Sequence, residues 1–213
     1  MSKTHSHDDD WPYPHPQQPD IEDGPLTDLM IMTDAVAELL IDKEVFSADD
    51  MRRTLEAIDS KNPAEGARIV AHAWLDPDFR ARMLEDVNAA AEEMSIDAST
   101  IPILAVENTK DIHNVIVCTL CSCYPKYLLG LPPDWYKSRA YRSRLVREPR
   151  AVLKEFGTEI PDDVEVRVHD STAELRYMIL PMRPKGTEDM EEEALAGLVT
   201  RDCMIGVTVI DRD

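Results

Sequence analysis

The sequence is poor in cysteine, in basic residues and in long hydrophobic runs. It has 4 cysteines in 213 residues, and no apolar segment approaches the roughly 20 residues that a membrane-spanning helix needs. Residues 1–10 are polar and acidic, and they lack the basic-then-apolar order of a signal peptide. We therefore expect a cytoplasmic protein, without membrane association, whose thiols are reduced by default.

Positive charge is the second shortage. The chain has 23 lysines and arginines against 42 aspartates and glutamates, so its formal net charge is −19. Such a surface repels the phosphates of nucleic acids, which excludes nucleic acid as a partner. The length favours one domain, with or without an extended arm, and is sufficient for an ordinary hydrophobic core.

The basic residues that are present include a cluster within 137–154. Its members are Lys137, Arg139, Arg142, Arg144, Arg147, Arg150 and Lys154. A basic stripe on an acidic protein is either a solvated helix face or a docking surface for an acidic partner chain. Because three cysteines lie just upstream, we favour the docking surface.

Composition divides the chain into three regions. Residues 1–25 contain three histidines, five prolines and six acids, a composition that cannot form a packed core and predicts a disordered or extended arm. Residues 26–96 predict a helical N-terminal region, and residues 97–213 predict an α+β domain, which we interpret as the metal-binding catalytic domain because it contains the cysteine cluster described below. The fold class is α+β, with a helical arm and helices followed by a mixed layered α/β domain.

Local signals place the individual elements. Apolar residues at helical spacing predict a helix at 26–42, and Ser47 with Asp50 predicts a capping box for the next helix. Cap residues followed by proline predict helices at 63–74 and 77–94. The remaining predictions are strands at 101–106, 114–118, 164–169, 175–182 and 203–210, and helices at 133–136, 149–157 and 188–199.

Three of the four cysteines, Cys118, Cys121 and Cys123, fall within six residues. Structural zinc usually takes four ligands, most often as two separated pairs, so a zinc site here would need Cys203 as its fourth ligand. A C-x-x-C redox pair of Cys118 and Cys121 is also possible. That pair leaves Cys123 without a role.

The single residue between Cys121 and Cys123 favours another kind of metal site. If both thiolates bind one ion, the backbone between them is drawn against the metal, and the amide nitrogens of Ser122 and Cys123 come within coordinating reach. Two sulfurs and two deprotonated nitrogens then form a square plane that Cys118 caps. The sixth position of an octahedral ion stays open, as in catalytic metal sites. These donors favour a trivalent, low-spin transition metal over zinc.

Several segments of the chain carry a resemblance to a known family. They are V-I-V-C-T-L-C-S-C-Y-P at 115–125, L-G-L-P-P-D-W-Y-K at 129–137, V-R-E-P-R at 146–150, R-Y-M at 176–178, P-M-R-P at 181–184 and V-T-R-D at 199–202. Together they closely resemble the nitrile hydratase α subunit, and the likeness covers essentially all of 26–210. The thiocyanate hydrolase γ subunit belongs to the same superfamily and carries the same cysteine cluster.

The resemblance implies a low-spin Co(III) centre, with Fe(III) as the alternative. Its ligands would be Cys118, Cys121 and Cys123 with the amides of Ser122 and Cys123, and Thr119, where iron enzymes tend to have serine, favours cobalt. It also implies that Cys121 is oxidised to the sulfinic acid and Cys123 to the sulfenic acid. The implied partners are a β subunit, as one chain or two, which supplies arginines to the oxidised sulfurs, and a metal-loading activator protein.

The implied reaction is the hydration of a nitrile to an amide by a lyase that is active only with its partner subunit. The metal acts as a Lewis acid, and the Cys123 sulfenate acts as a nucleophile or as a base toward water. Cys121 and Ser122 are the other candidate catalytic residues, and Ser122 contributes mainly through its backbone nitrogen.

Two positions depart from the nitrile hydratase pattern. Nitrile hydratases often carry tryptophan after the Tyr-Pro pair, whereas this chain has Lys126 followed by Tyr127, which are our candidate substrate-pocket residues. A glutamine that family members often have upstream of the first cysteine is replaced by Ser99. A lysine in the pocket would suit a bulky or polar nitrile, such as the toyocamycin used by one branch of the family, or the thiocyanate anion.

The predicted function is therefore the α subunit of a nitrile hydratase. The alternative is the γ subunit of a thiocyanate hydrolase, which converts thiocyanate to carbonyl sulfide and ammonia. A second alternative, a non-enzymatic zinc or scaffold module, requires Cys203 as a ligand. Two arginines, Arg176 and Arg201, are candidate contacts to the partner chain, and His72, His113 and His169 are interpreted as structural.

Overall fold

The computed structural model describes residues 27–210. These residues belong to two compact units, one that ends at Ser60 and one that starts at Lys61. The predicted arm at 1–25, with its three histidines, lies outside the described residues. The predicted division between a helical region at 26–96 and a catalytic domain at 97–213 stays a prediction. No helix within 27–210 combines the length and the apolar character that crossing a membrane requires.

The first unit contains two helices, α1 (Asp28–Asp42) and α2 (Ala48–Asp59). The capping box predicted for α2 is confirmed, because the Ser47 side chain accepts from the Asp50 amide and the Asp50 side chain accepts from the Ser47 amide. Neither helix has a buried residue. The apolar residues at helical spacing in α1 are exposed instead: Leu29, Met32, Val36 and Leu39.

The second unit begins with α3 (Ala64–Leu75), α4 (Pro77–Glu85) and α5 (Val87–Glu93). The prediction of a single helix at 77–94 is wrong in one respect, because the helix is interrupted at Asp86. The Asp86 backbone is extended and its side chain accepts a hydrogen bond from the Ala89 amide, which caps α5. An aspartate that caps a new helix competes with continuation of the old one.

Within residues 27–210, four strands form two parallel pairs. Strand β1 (Ile103–Glu107) pairs with β4 (Arg176–Leu180), and β2 (Ile112–Val117) pairs with β3 (Glu165–Asp170). These strands lie where the sequence predicted them, with small differences at their ends. The mixture of helices and strands confirms the predicted α+β class. Because residues 171–175 are the whole connection from β3 to β4, the end of the second pair lies near the start of the first.

Short helices fill the remaining connections. They are α6 (Lys126–Leu129), α7 (Asp134–Lys137), α8 (Arg139–Leu145), α9 (Pro149–Glu155), α10 (Glu192–Ala196) and α11 (Arg201–Ile205). The acidic helix predicted at 188–199 is therefore much shorter than expected. The basic stripe is partly used inside the protein, because Arg144 binds Glu148 and Glu155 and Arg150 donates to the backbone carbonyl of Ile160.

The strand predicted at 203–210 is wrong, because α11 occupies its first half. Thr200 caps this helix by accepting from the Cys203 amide, and Gly206 ends it with φ of 91°. A Cβ at Gly206 would lie 2.2 Å from the Asn114 carbonyl oxygen, so only glycine fits there. The imidazole Nε2 of His113 lies 2.7 Å from the Gly206 carbonyl oxygen, to which it donates. This contact fits the structural role predicted for His113.

Candidate metal centre and adjoining cavity

The cysteine loop, residues 118–123, follows β2 directly. Cys118 is buried, Cys121 is exposed and Cys123 is intermediate. The Cys118 and Cys121 sulfurs are 3.5 Å apart, the Cys121 and Cys123 sulfurs are 3.2 Å apart, and all three lie within 4.8 Å of one another. Within residues 27–210 this is the one cluster of histidine, cysteine or acidic side chains arranged to hold a metal ion.

The sulfur separations fit three thiolates on one ion. With metal–sulfur bonds of about 2.3 Å, two sulfurs at a right angle are about 3.3 Å apart and two at a tetrahedral angle about 3.8 Å. The observed 3.2 Å matches the right-angle value, and the observed 3.5 Å lies about midway between the two values. These separations are therefore compatible with one ion bound to all three sulfurs.

Backbone amides converge on the same sulfurs. The Cys121 amide donates to the Cys118 sulfur over 3.2 Å. The amides of Ser122 and Cys123 both interact with the Cys121 sulfur. The one-residue spacer therefore brings these two nitrogens close to the sulfur cluster, as the sequence argument requires.

The Cys121 and Cys123 thiols differ in acidity. Hydrogen bonding from Cys123 is the main reason that the pKa of the Cys121 thiol is lowered. Burial, together with the bond to Cys121, raises the pKa of the Cys123 thiol to about 12, and the charge of Arg176 opposes this rise. The thiolate that metals require therefore forms first at Cys121, the exposed sulfur of the cluster.

Two side chains outside the loop fix its ends. Asp170, the last residue of β3, accepts hydrogen bonds from the Thr119 amide at 2.9 Å and the Thr119 hydroxyl at 2.5 Å. The fully buried Tyr136 donates its hydroxyl to the Cys123 carbonyl at 3.0 Å. Burial raises the pKa of Tyr136 well above its usual value, so this hydroxyl stays protonated and can donate. Sequence reasoning found neither contact.

A cavity of about 380 Å³ adjoins the loop. Lys126 and Tyr127 line it, as the sequence predicted for the substrate pocket, and so do Cys121, Ser122 and Cys123. The predicted catalytic residues and the predicted pocket residues therefore share one space.

The opposite wall of the cavity includes Ser99, whose backbone is left-handed with φ of 75°. Asn88 holds this segment in place, because its side-chain nitrogen donates to the carbonyls of Ser99 and Ile101 and its oxygen accepts from the Ile103 amide. A non-glycine residue in this conformation is costly and persists only where its surroundings enforce it. Ser99 thus contributes a short side chain to the cavity wall.

Arg176 also lines the cavity, although the sequence suggested only a contact to a partner chain. Its backbone pairs with Ile103 at the start of β4, and its Nη1 is buried without a hydrogen-bond partner among the described residues. Its charge acts on the Cys123 thiol. The linear sequence shows no signal for this placement, because it depends on the register of two strands that are distant in the chain.

Cys203 does not join the cluster. It is buried, and its sulfur donates to the Thr200 carbonyl at 3.0 Å. The zinc alternative therefore lacks its fourth ligand among the described residues.

Comparison with known proteins gives a consistent result. The family model described as "Nitrile hydratase, alpha chain" matches residues 27–208. The chain is 50% identical over 177 residues to the low-molecular-weight cobalt-containing nitrile hydratase subunit alpha of Rhodococcus rhodochrous. The aligned region covers 82% of this chain and 86% of the relative. The chain is 42% identical over 196 residues to the thiocyanate hydrolase subunit gamma of Thiobacillus thioparus, which covers 86% and 81%.

Solved structures show the same two kinds of relative. A recombinant thiocyanate hydrolase with partially modified cobalt centres matches with a TM-score of 0.80 and 41% identity, over 88% of this chain and 92% of that chain. A double mutant of the Fe-type nitrile hydratase from Comamonas testosteroni Ni1 matches with a TM-score of 0.78 and 41% identity, over 86% and 92%.

Proposed function

This chain belongs to the nitrile hydratase α-chain family, and from that membership we propose that it is the α subunit of a cobalt-dependent nitrile hydratase. The observation that carries the proposal is the three-sulfur cluster, which opens onto a cavity. The cobalt-containing relatives support cobalt over iron.

The metal ligands we propose are the sulfurs of Cys118, Cys121 and Cys123 and the backbone nitrogens of Ser122 and Cys123. A bound trivalent metal supplies Lewis acidity toward a nitrile or water. The protein's part is to fix the loop, with Asp170 on Thr119 and Tyr136 on Cys123. Ligands that are held by outer hydrogen bonds keep the geometry that a metal site needs.

We propose that Cys121 becomes a sulfinate and Cys123 a sulfenate, and that the Cys123 oxygen serves as the nucleophile or base toward water. Arg176 supports this assignment, because a guanidinium whose Nη1 has no hydrogen-bond partner among the described residues, near Cys123, suits an anionic sulfur oxygen. Arginines of the partner chain would add to this charge rather than supply all of it.

The cavity favours a bulky or polar nitrile. Ser99 leaves room where a longer glutamine would project, and Lys126 makes one side cationic. A three-atom anion would fill only part of the 380 Å³ present. The volume therefore supports a substrate larger than thiocyanate.

A partner subunit is part of the proposal. The relatives that match are named as subunits of larger enzymes. The first unit of this chain has apolar helix faces without a buried residue, which isolated soluble helices rarely sustain. We propose that the β subunit, as one chain or two, covers α1 and α2, and that an activator protein loads the metal.

The test is to produce the full chain with its partner and cobalt, and to assay a set of nitriles for amide formation. The peptide that contains residues 118–123 should carry two added oxygens on Cys121 and one on Cys123. Amide formation with these oxygens present supports the proposal. A metal-loaded, partner-bound enzyme without added oxygens, or without amide formation, would overturn it.

Thiocyanate hydrolysis is the second candidate. The cationic Lys126 and the similarity to a thiocyanate hydrolase subunit favour it. Incubation of the same complex with thiocyanate distinguishes the two, because only a thiocyanate hydrolase releases carbonyl sulfide and ammonia.

A further inference from the structure

The cavity is a cationic site in an acidic protein. Its lining of thirteen residues includes Lys126 and Arg176 and contains no aspartate or glutamate, although acids outnumber basic residues in the chain by 42 to 23. A concave surface lined by one sign of charge concentrates ligands of the opposite sign.

A second lysine, Lys61, lies outside the lining but contacts the ring of the lining residue Tyr127. The Lys126 ammonium lies 5.8 Å from the centre of the Tyr127 ring, and the Lys61 ammonium lies 5.0 Å from the same centre. Both distances are within the range of a cation–π contact. Lys61 comes from the segment before α3, so two distant parts of the chain bring positive charge to one aromatic ring.

The charge of Lys61 is only partly neutralised. Its ammonium is 3.4 Å from the Asp97 carboxylate, a long contact to a largely exposed partner. Arg176 lies elsewhere in the lining and acts on the Cys123 sulfur. The cavity thus presents two cationic positions, one at the sulfur cluster and one at Tyr127.

We propose that the substrate is a nitrile that also carries a carboxylate, which binds at Lys126 beside Tyr127 with support from Lys61. This rests on the proposed nitrile hydratase function and names the class of substrate. The nitrile group faces the sulfur cluster while the carboxylate lies against the lysines. The room in the cavity fits a molecule that spans both positions better than a three-atom anion.

The experiment compares two nitriles of the same shape with the cobalt-loaded complex of the full chain and its partner. Para-cyanobenzoate carries the carboxylate, and para-cyanobenzamide is its neutral counterpart. We expect kcat/KM to favour the carboxylate roughly tenfold, mainly through KM, because one charge-assisted contact is worth about that much. Raising the salt concentration should reduce the preference, since the lysines are partly exposed.

Substitutions of the lysines test which side chain binds the carboxylate. Lys126→Gln should abolish the preference, Lys126→Arg should retain it, and Lys61→Gln should reduce it about threefold. Lys110→Gln is the matched control. Lys110 is an exposed lysine that follows the C-terminal end of β1 and does not line the cavity. Inhibition by benzoate and benzamide, which lack a nitrile, measures binding without turnover and should show the same order.

Every outcome bears on the proposal. Hydration of both nitriles without a preference, or a preference that survives Lys126→Gln, would overturn the carboxylate assignment and leave the nitrile hydratase function standing. Release of carbonyl sulfide from thiocyanate with no nitrile hydrated would overturn both. A preference that disappears in Lys126→Gln, weakens in Lys61→Gln and persists in Lys110→Gln supports the assignment.

Discussion

The cysteine loop and the wall of its cavity are built in opposite ways. All the proposed metal ligands come from six consecutive residues, whereas the wall combines Ser99, Lys126 and Arg176 from three distant parts of the chain. We therefore propose that the loop determines which chemistry is available, and that the wall determines which substrate reaches it. A change in the loop should affect all substrates equally, and a change in the wall should redistribute activity among them.

The largest effect expected is that of Cys121→Ala. Removal of the exposed central sulfur should reduce cobalt content to near zero and lower kcat/KM for all nitriles roughly a thousandfold or more. Metal analysis of the purified complex measures the loss. The matched control is Cys203→Ala, which removes a buried thiol outside the cluster and should keep the metal. Loss of cobalt from the Cys203→Ala protein would contradict the proposal that the cysteine loop alone supplies the metal ligands.

Asn88→Ala tests the wall next. It removes the three hydrogen bonds that hold residues 99–103, so we expect the free energy of unfolding to fall by about 2 kcal/mol. KM should rise for large nitriles because the Ser99 segment relaxes. Cobalt content should stay at the wild-type level, and loss of the metal would show that wall and loop are coupled. Asn88→Asp, which keeps the acceptor for the Ile103 amide, should show a smaller effect.

Tyr136→Phe tests the loop more gently. It removes the hydroxyl that donates to the Cys123 carbonyl, which should cost about 1 kcal/mol of stability and shift the visible absorption of the bound metal. The order of substrate preference should not change. Tyr124→Phe is a close control, because the buried Tyr124 hydroxyl has no hydrogen-bond partner among residues 27–210. An equal spectral shift in both variants would remove the role assigned to Tyr136.

Ser99→Gln should have the smallest effect. The longer side chain would occupy part of the cavity, and we expect kcat/KM for bulky nitriles to fall about threefold relative to that for small ones, a difference near 0.7 kcal/mol. Ser99→Gly, which relieves the left-handed backbone without adding volume, is the control. An equal loss for small and bulky nitriles would mean that Ser99 does not shape the cavity.

The cysteine loop was predictable from sequence because its geometry is local. A one-residue spacer constrains the backbone between two thiolates whatever the rest of the protein does, and the observed sulfur spacing agrees with that argument. Lys126 and Tyr127 were predicted for the pocket from the resemblance to nitrile hydratases, which often carry tryptophan after the Tyr-Pro pair, and both residues line the cavity.

The residues that were missed depend on tertiary structure. Arg176 reaches the cavity through strand pairing with Ile103, and Asn88 reaches the wall from α5. No pattern in the sequence connects these positions. The wrong strand at 203–210 has a different cause, because Cys203, Met204 and Ile205 are all buried in α11. A five-residue helix is too short to show an amphipathic period, and the apolar and β-branched residues that follow it favour a strand.

The contrast between a local loop and a dispersed wall has a consequence for the order of folding. Bringing together sulfurs at most five residues apart costs little loop-closure entropy, whereas pairing β1 with β4 joins distant segments and is expected to be slow. We expect cobalt to be captured before the cavity closes, so that refolding chains gain metal absorption before they bind benzoate. Simultaneous appearance of the two signals would contradict this order. The metal would then act as an early cross-link, present while the surface that selects the substrate is still being assembled.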